Sequence, residues 1–371
     1  MLIDRRRFVA AFATAIGGAY LNSPSTNSAN VLQQQVFNQP AFSITPVVGD
    51  GEWIWTEPPE EKGYLEPRDF EVSVGMHIQG NGDGKNLTAT TVAPVQFPEQ
   101  KILDVKIETS GCTAQLIALN ETAGQLVLFA DSIGDGQTVS ALAKYKVRIF
   151  KSHFGFQKSM FPEEQNSKQV PKQFLKNSPG IKCSATMVKE IAKKVAGELK
   201  HPWDKAEKFY QWVWENIKGV PGKYTSVEEA ISKGRGDCEE RACTFIALCR
   251  NVGIPARQVW VPSHVWAEIA LHDEAGQWHW IPIHTAAYNW FGFTGAHELV
   301  LQKGDRVRLP QRKRTVRLID DWYQINGARP KLKFVSTIEP VEPGPGGRQK
   351  QTNGEWTASD SSKYRRLMRR G

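Results

Sequence analysis

The chain has 371 residues, 40% of them hydrophobic and 23% charged, and a formal net charge of +8. This length and apolar content allow two ordinary domains with buried cores and exclude an intrinsically disordered protein. Much of the basic excess lies in residues 311–317 and 363–371, which neither interleave aromatic residues nor form a binding module. We therefore predict no nucleic-acid partner, and contact between the tail and an acidic surface is the weaker alternative.

The N-terminus has the pattern of an export signal. Residues 5–8 read RRRF, a twin-arginine pattern, and the apolar run 9–21 is too short and too rich in Ala and Gly to span a membrane. We predict a signal over residues 1–30, a Ser-, Asn-, Gln- and Pro-containing linker over 31–64, and a periplasmic or extracellular mature chain without a membrane span.

Five cysteines are an odd number, so at least one should be free even in an oxidising compartment. The sequence leaves a disulfide between Cys112 and Cys183 open. Cys243 and Cys249 do not have C-x-x-C spacing, so we expect them to pack in a core and not to bind zinc.

Short runs of alternating polar and apolar residues occupy residues 65–155 and are separated by turns such as GNGDG, NETAG and DSIGDG. This pattern predicts an all-β domain, a sandwich, with a structural or substrate-presenting role. GNGDGK lacks the distal acidic ligand of a calcium loop, so we interpret it as a hairpin turn. Residues 156–184 are interpreted as an interdomain segment.

Helical periodicity follows in residues 187–199 and 206–217, the second with Asp204 as candidate N-cap, and in a short helix that ends at Gly234. The stretch 234–255, GRGDCEERACTFIALCRNVGIP, predicts a third long helix. Asp237 would cap it, with Glu240 completing a capping box, and Cys238 would be its first residue. At that position the helix dipole favours a thiolate, so we expect Cys238 to be an ionised nucleophile with a lowered pKa.

After Pro255 the apolar residues recur at every second position, which predicts strands over residues 257–262, 264–271 and 278–284. Helices followed by an antiparallel sheet make an α+β domain, placed at residues 185–310. His264 begins the second strand and is the best candidate for a base that activates Cys238, while His284 ends the third strand, where a group that orients the base would lie. Residues 311–371 are interpreted as a basic, Pro- and Gly-rich extension with one strand near 332–338.

Three ordered blocks carry a family resemblance. The blocks GRGDCEERACTFIALCRNVGIPARQVW, SHVWAEI and QWHWIPIHT resemble the transglutaminase-like superfamily, over roughly residues 185–300. The resemblance implies a papain-like fold with Cys238 as nucleophile and His264 as general base. We predict no cofactor and no metal ligands, although the sequence does not define any metal dependence. Members of this superfamily include cross-linking enzymes, peptidases, amidases and inactive scaffolds.

One position departs from the family pattern, because the third block ends in an aspartate in the family and in His284 here. A histidine stabilises an imidazolium less well than a carboxylate does. Glu268, on the same strand as His264, and Asp273, in the following turn, are less favoured substitutes. The departure leaves three alternatives open: weak activity, a different orienting group, or loss of catalysis.

The predicted function is attack of the Cys238 thiolate on an amide carbonyl of a protein or peptide substrate, followed by hydrolysis of a thioester. Transfer of the acyl group to an amine is open within the same enzyme class. The alternative from another class is a catalytically weak or inactive transglutaminase-like binding module of the cell envelope. An envelope protein held by its basic tail is a third, weaker hypothesis.

Overall fold

The structure is a computed structural model that describes residues 42–44, 55, 57–165, 171–220, 222–262, 264–286 and 290–341. The export signal predicted for residues 1–30, most of the linker and the basic tail after residue 341 lie outside these residues. No helix within the described ranges is long and apolar enough to cross a bilayer.

The described residues form eighteen strands. In chain order they are β1 (Phe42–Ile44), β2 (Gly63–Gln79), β3 (Gly84–Ala93), β4 (Gln100–Ser110), β5 (Thr113–Asn120), β6 (Ala123–Ile133), β7 (Thr138–His153), β8 (Lys218–Gly219), β9 (Arg235–Gly236), β10 (Ala256–Val261), β11 (His264–His272), β12 (Trp278–Ile283), β13 (Phe293–Thr294), β14 (Gln302–Lys303), β15 (Val307–Leu309), β16 (Arg314–Val316), β17 (Trp322–Gly327) and β18 (Lys331–Pro340).

Four α-helices lie between β7 and β10: α1 (Thr186–Ala196), α2 (Pro202–Asn216), α3 (Val227–Lys233) and α4 (Cys238–Asn251). Each long helix starts within a few residues of its predicted position, but the cap of α2 differs from the prediction. His201 is the N-cap and accepts a hydrogen bond from the Trp203 N–H at 3.1 Å, whereas Asp204 lies in the first turn and binds Lys158.

Two sheets organise the chain. The first has the order β1, β18, β2, β7 and β13, with β4 also paired to β7; the second has the order β12, β11, β10, β14, β6, β3 and β17, with β5 also paired to β6. The second sheet therefore continues from the sandwich through β14 into the three strands that follow α4. These strands and the helices form one α+β architecture, which confirms the predicted fold class.

The sandwich core follows from the apolar residues that occupy alternate positions along the strands. On β2, Phe70, Val72 and Val74 are at most 1% exposed and pack in one cluster with Leu126 and Leu128 of β6, on the opposing sheet. Alternate residues point to the same face of a strand, so these apolar positions face the partner sheet together. The predicted sandwich is present.

The C-terminal part of the sandwich differs from the prediction. β17 pairs with β3, and β18 pairs with β2 over ten residues from Lys331 to Pro340. Residues 322–340, which the sequence predicts to lie in an extension, therefore complete both sheets. The strand pattern of β18 is visible in the sequence, but the pattern does not reveal a partner some 250 residues earlier in the chain.

Helix α4 is buried on every side, since each residue from 239 to 250 is buried. Its apolar face packs in the helical core, and two of its charged residues, Glu239 and Arg250, form buried ion pairs. Arg250 binds Asp305 at 2.7 Å, with both side chains at most 1% exposed, and also donates to the Ala256 carbonyl. The C-terminal end of α4 is thus tied to β10 and to the turn after β14.

We expect Asp305→Asn to lower the free energy of unfolding by about 3–5 kcal/mol, because it leaves the Arg250 guanidinium buried without its counter-ion. The matched control is Asp69→Asn, which removes a partner of the more exposed Arg148 and should cost no more than about 1 kcal/mol. Urea denaturation of both variants measures the difference. Equal losses would contradict the role assigned to the buried pair.

Candidate active site

The start of α4 is fixed by a complete capping box. The Asp237 carboxylate accepts hydrogen bonds from the N–H groups of Glu239 (2.8 Å) and Glu240 (3.4 Å), and the Glu240 carboxylate accepts one from the Asp237 N–H (3.0 Å). A Cβ atom at Gly236 would lie 2.4 Å from the Glu240 Cβ. The Gly-Asp sequence before the cysteine is therefore required for this turn.

Cys238 is the first residue of α4 and remains partly exposed. It packs against the core cluster that includes Val265, next to His264 at the start of β11, and the Val265 N–H lies where it favours the thiolate. The structure thus brings the predicted nucleophile to the strand that carries the predicted base. All five cysteines are free, so Cys112 and Cys183 do not pair.

The pKa shifts of the Cys238 thiol and the His264 imidazole both favour the neutral forms. Burial, followed by the charge of Asp237, raises the pKa of the Cys238 thiol far above its usual value, although the Val265 N–H opposes this shift. Burial also lowers the pKa of His264 to about 4. The raised thiol pKa is opposite in direction to the lowered pKa that we expected from the helix dipole, because desolvation of the thiol in this partly buried site outweighs the dipole.

His284 lies directly after β12 and is fully buried. Its ring stacks on the Trp266 ring at 4.7 Å between centroids, meets the edge of Trp290 at 4.9 Å, and lies 5.8 Å from the His264 ring at 22° between planes. The structure therefore brings His264 and His284 together, as predicted. Burial, reinforced by the nearby His264, lowers the pKa of His284 well below its usual value.

Glu298 is a site residue that the sequence did not reveal. Its Oε2 atom lies 3.9 Å from His284 Nε2, and the side chain is buried. Burial raises the pKa of Glu298 to about 8, and the nearby Trp266 indole partly offsets this shift. Glu298 lies in a stretch without helical or strand periodicity, so the only sequence signal was a lone charge ahead of the apolar residues 299–301.

The two carboxylates considered from the sequence lie elsewhere. Glu268 is paired with Arg257 (2.5 Å) and Lys303 (2.6 Å) in a buried network. Asp273 is bound to His279 at 2.8 Å in the turn after β11. Neither residue orients His264.

The sandwich holds the segment that carries Glu298. The His297 ring donates from Nε2 to the Glu66 carbonyl on β2 at 2.6 Å. On the other side, the side chain of Gln100, the first residue of β4, accepts from the Val300 N–H (2.7 Å) and donates to the Val300 carbonyl (3.0 Å). The β domain thus positions an acidic group of the site.

The same site contains a set of groups able to bind a metal ion. One ligand atom from each of His264, His284 and Glu298 lies within 4.8 Å of the other two. Two imidazoles and a carboxylate suit first-row transition metals. Cys243 and Cys249, by contrast, are buried in the helical core, as expected.

The model of the transglutaminase-like superfamily matches residues 189–285. This segment contains Cys238, His264 and His284 in the geometry described above. The chain carries a transglutaminase-like domain. Glu298 and the sandwich lie outside the matched segment.

The relatives and solved structures extend this picture. An uncharacterized protein of Haemophilus influenzae is 34% identical over 93 residues, which are 24% of this chain and 25% of that protein. The match thus spans about a quarter of the length of this relative. A crystal structure from Cytophaga hutchinsonii, named as a candidate cysteine protease, aligns with a TM-score of 0.53 at 17% identity, covering 78% of this chain and 96% of that one.

At this identity the Cytophaga structure establishes a common fold alone. Its coverage of this chain exceeds the transglutaminase-like segment, so the shared fold includes strands of the sandwich. A structure from Parabacteroides distasonis, also named as a candidate protease, aligns at 11% identity with a TM-score of 0.24, over 59% of this chain and 44% of that one. This score is too low to establish a common fold.

The raised thiol pKa gives a testable pH dependence. We expect the rate of iodoacetamide alkylation at Cys238 in the folded chain to keep rising above pH 9, because burial suppresses the thiolate at lower pH. The same cysteine in the urea-unfolded chain should have a pKa of about 8.5, the usual thiol value. Mass spectrometry of the Cys238 peptide measures both profiles, and a plateau below pH 7 in the folded chain would contradict the neutral resting site.

Proposed function

We propose that the protein is a cysteine hydrolase that cleaves amide bonds in protein or peptide substrates. The observation that carries this proposal is the Cys238 thiol at the first position of α4, packed against the cluster that includes Val265, the residue after His264 on β11. A nucleophile next to a base, at a helix end that stabilises negative charge, is the arrangement that acyl transfer requires. The transglutaminase-like domain supports the same chemistry.

A neutral pair favours a concerted first step. The Cys238 sulfur attacks the amide carbonyl while its proton passes to His264, which forms an imidazolium and a tetrahedral oxyanion near the N-terminus of α4. His264 then returns the proton to the departing amine, which leaves a thioester on Cys238. Water, deprotonated by His264, attacks the thioester and releases a carboxylic acid and the free thiol.

His284 and Glu298 support the imidazolium in this scheme. His264 lies against the His284 ring, and Glu298 is the carboxyl group next to His284. A cation that forms on His264 opposes the effect of burial on the pKa of Glu298, so the carboxyl ionises and the anion stabilises the imidazolium. The two residues together thus supply the orienting function that the family assigns to one aspartate.

We expect Cys238→Ala to abolish hydrolysis of a fluorogenic peptide-amide library or a labelled unfolded protein, and His264→Ala to lower kcat by about 10²–10⁴-fold. Cys112→Ser is the matched control, because Cys112 lies in the sandwich and binds the Ser140 carbonyl. Product analysis with an added primary amine separates hydrolysis from acyl transfer. Peptide binding without cleavage in the unmodified chain would overturn the proposal in favour of a binding module.

The role of Glu298 has its own test. We expect Glu298→Gln to lower kcat by roughly 10- to 100-fold with little change in KM, as loss of an outer-shell partner does. His284→Asp in the same background should restore part of the activity, because it returns a carboxylate to the position that the family uses. Asp273→Asn is the control and should leave kcat unchanged. An unchanged kcat in Glu298→Gln would show that the carboxyl has no part in orienting His264.

We also propose that the enzyme acts outside the cytoplasm. The proposal rests on the twin-arginine pattern at residues 5–8 and the apolar run that follows. Replacement of Arg5 and Arg6 by Lys should retain the full-length chain in the cytoplasmic fraction. An unchanged distribution would count against this route.

A further inference from the structure

We propose that His264, His284 and Glu298 form a binding site for a divalent transition-metal ion of the zinc type, and that an ion bound there blocks the thiol chemistry. The binding site rests on geometry alone. The blocking effect rests in addition on the proposed function, because it requires His264 to act as the base.

The three side chains converge on one point. Their ligand atoms all lie within 4.8 Å of one another, and His284 Nε2 is 3.9 Å from Glu298 Oε2. Zinc binds imidazole nitrogen and carboxylate oxygen at about 2.0–2.2 Å, which places neighbouring ligands of a tetrahedral ion roughly 3.4 Å apart. Closing the observed set to that spacing requires side-chain shifts of about 1 Å.

The ligands are held before any ion arrives. His264 belongs to β11, and the His284 main chain is bonded to the Trp290 carbonyl at 2.9 Å, while its ring lies against Trp266. The Glu298 segment is held on both sides by the hydrogen bonds of His297 and Val300 to the sandwich. Little conformational entropy is therefore lost when the three groups close on a cation.

The donor set selects the class of ion. Calcium and magnesium require six or more oxygen ligands, whereas this set offers two nitrogens and one carboxylate in a buried site. Two histidines and one carboxylate are a common set for zinc and other first-row ions, with further positions left for water. The carboxylate supplies negative charge that compensates the cation in a desolvated site.

Metal binding and the proposed catalysis use the same lone pair. A neutral imidazole has one basic lone pair, so when either nitrogen of His264 coordinates an ion the other nitrogen carries a proton and cannot accept the one from Cys238. Zinc should therefore inhibit reversibly, and a chelator should restore activity. The ion would thus act as a switch on the nucleophile without any change in the fold.

The test measures binding of the metal ion and does not depend on catalytic activity. The full chain with Cys238→Ala, which removes the thiol as a competing ligand, is titrated with CoCl₂ and followed by its visible d–d absorption, and with ZnCl₂ by calorimetry. We expect one ion per chain, and affinity lowered by more than about 100-fold in both His284→Asn and Glu298→Gln, beyond the usual loss for an outer-shell partner. Circular dichroism checks that each near-isosteric variant is folded.

His279→Asn is the matched control, because this histidine is bound to Asp273 and lies outside the set. It should leave the affinity unchanged. Absence of binding, or binding that survives both His284→Asn and Glu298→Gln, would overturn the metal site. If the chain binds the ion but cleaves no peptide, the proposed hydrolase function is wrong and the metal site is retained. If the enzyme is active and zinc does not inhibit it, the blocking effect is wrong.

Discussion

The buried helix α4 is the constraint on which the rest of the structure depends. Its N-terminus is fixed by the box between Asp237 and Glu240, and its C-terminus by the buried pair between Arg250 and Asp305. Because both ends are fixed and every residue between them is buried, the first residue of the helix has one position relative to β11. The thiol meets the start of that strand for this reason.

Burial also decides the electrostatics of the site. A helix dipole stabilises an anion at its N-terminus by roughly 0.3–1 kcal/mol, and by about 2 kcal/mol in favourable geometry, whereas desolvation shifts a pKa by up to about 3–5 units, each worth roughly 1.4 kcal/mol. Desolvation therefore prevails over the dipole for Cys238, and it is also the cause of the lowered pKa of His264. A site that is neutral at rest separates charge only as the reaction proceeds, when a substrate supplies the carbonyl that becomes the oxyanion.

Local signals in the sequence were sufficient for part of this arrangement. The Gly-Asp-Cys turn, the capping box and the alternation of β10 to β12 each depend on residues within a few positions, and each could be predicted together with His264 and His284. The sandwich membership of β18 and the role of Glu298 could not, because they depend on pairings between distant parts of the chain. The resting ionisation of Cys238 was also inaccessible, because it depends on how much of the site the fold removes from water.

The position of Glu298 gives the sandwich a part in the site. An aspartate at position 284 would lie at the end of β12 and would owe its place to the transglutaminase-like domain alone. Glu298 instead lies on a loop held by Glu66 on β2 and by Gln100 on β4. Because the carboxylate lies on this loop and not at the end of a strand, the orientation of His284 depends on contacts between the two halves of the fold. The strands that return to the sandwich after residue 320 complete the same two sheets, so the C-terminal part of the chain supports the site without contributing a side chain to it.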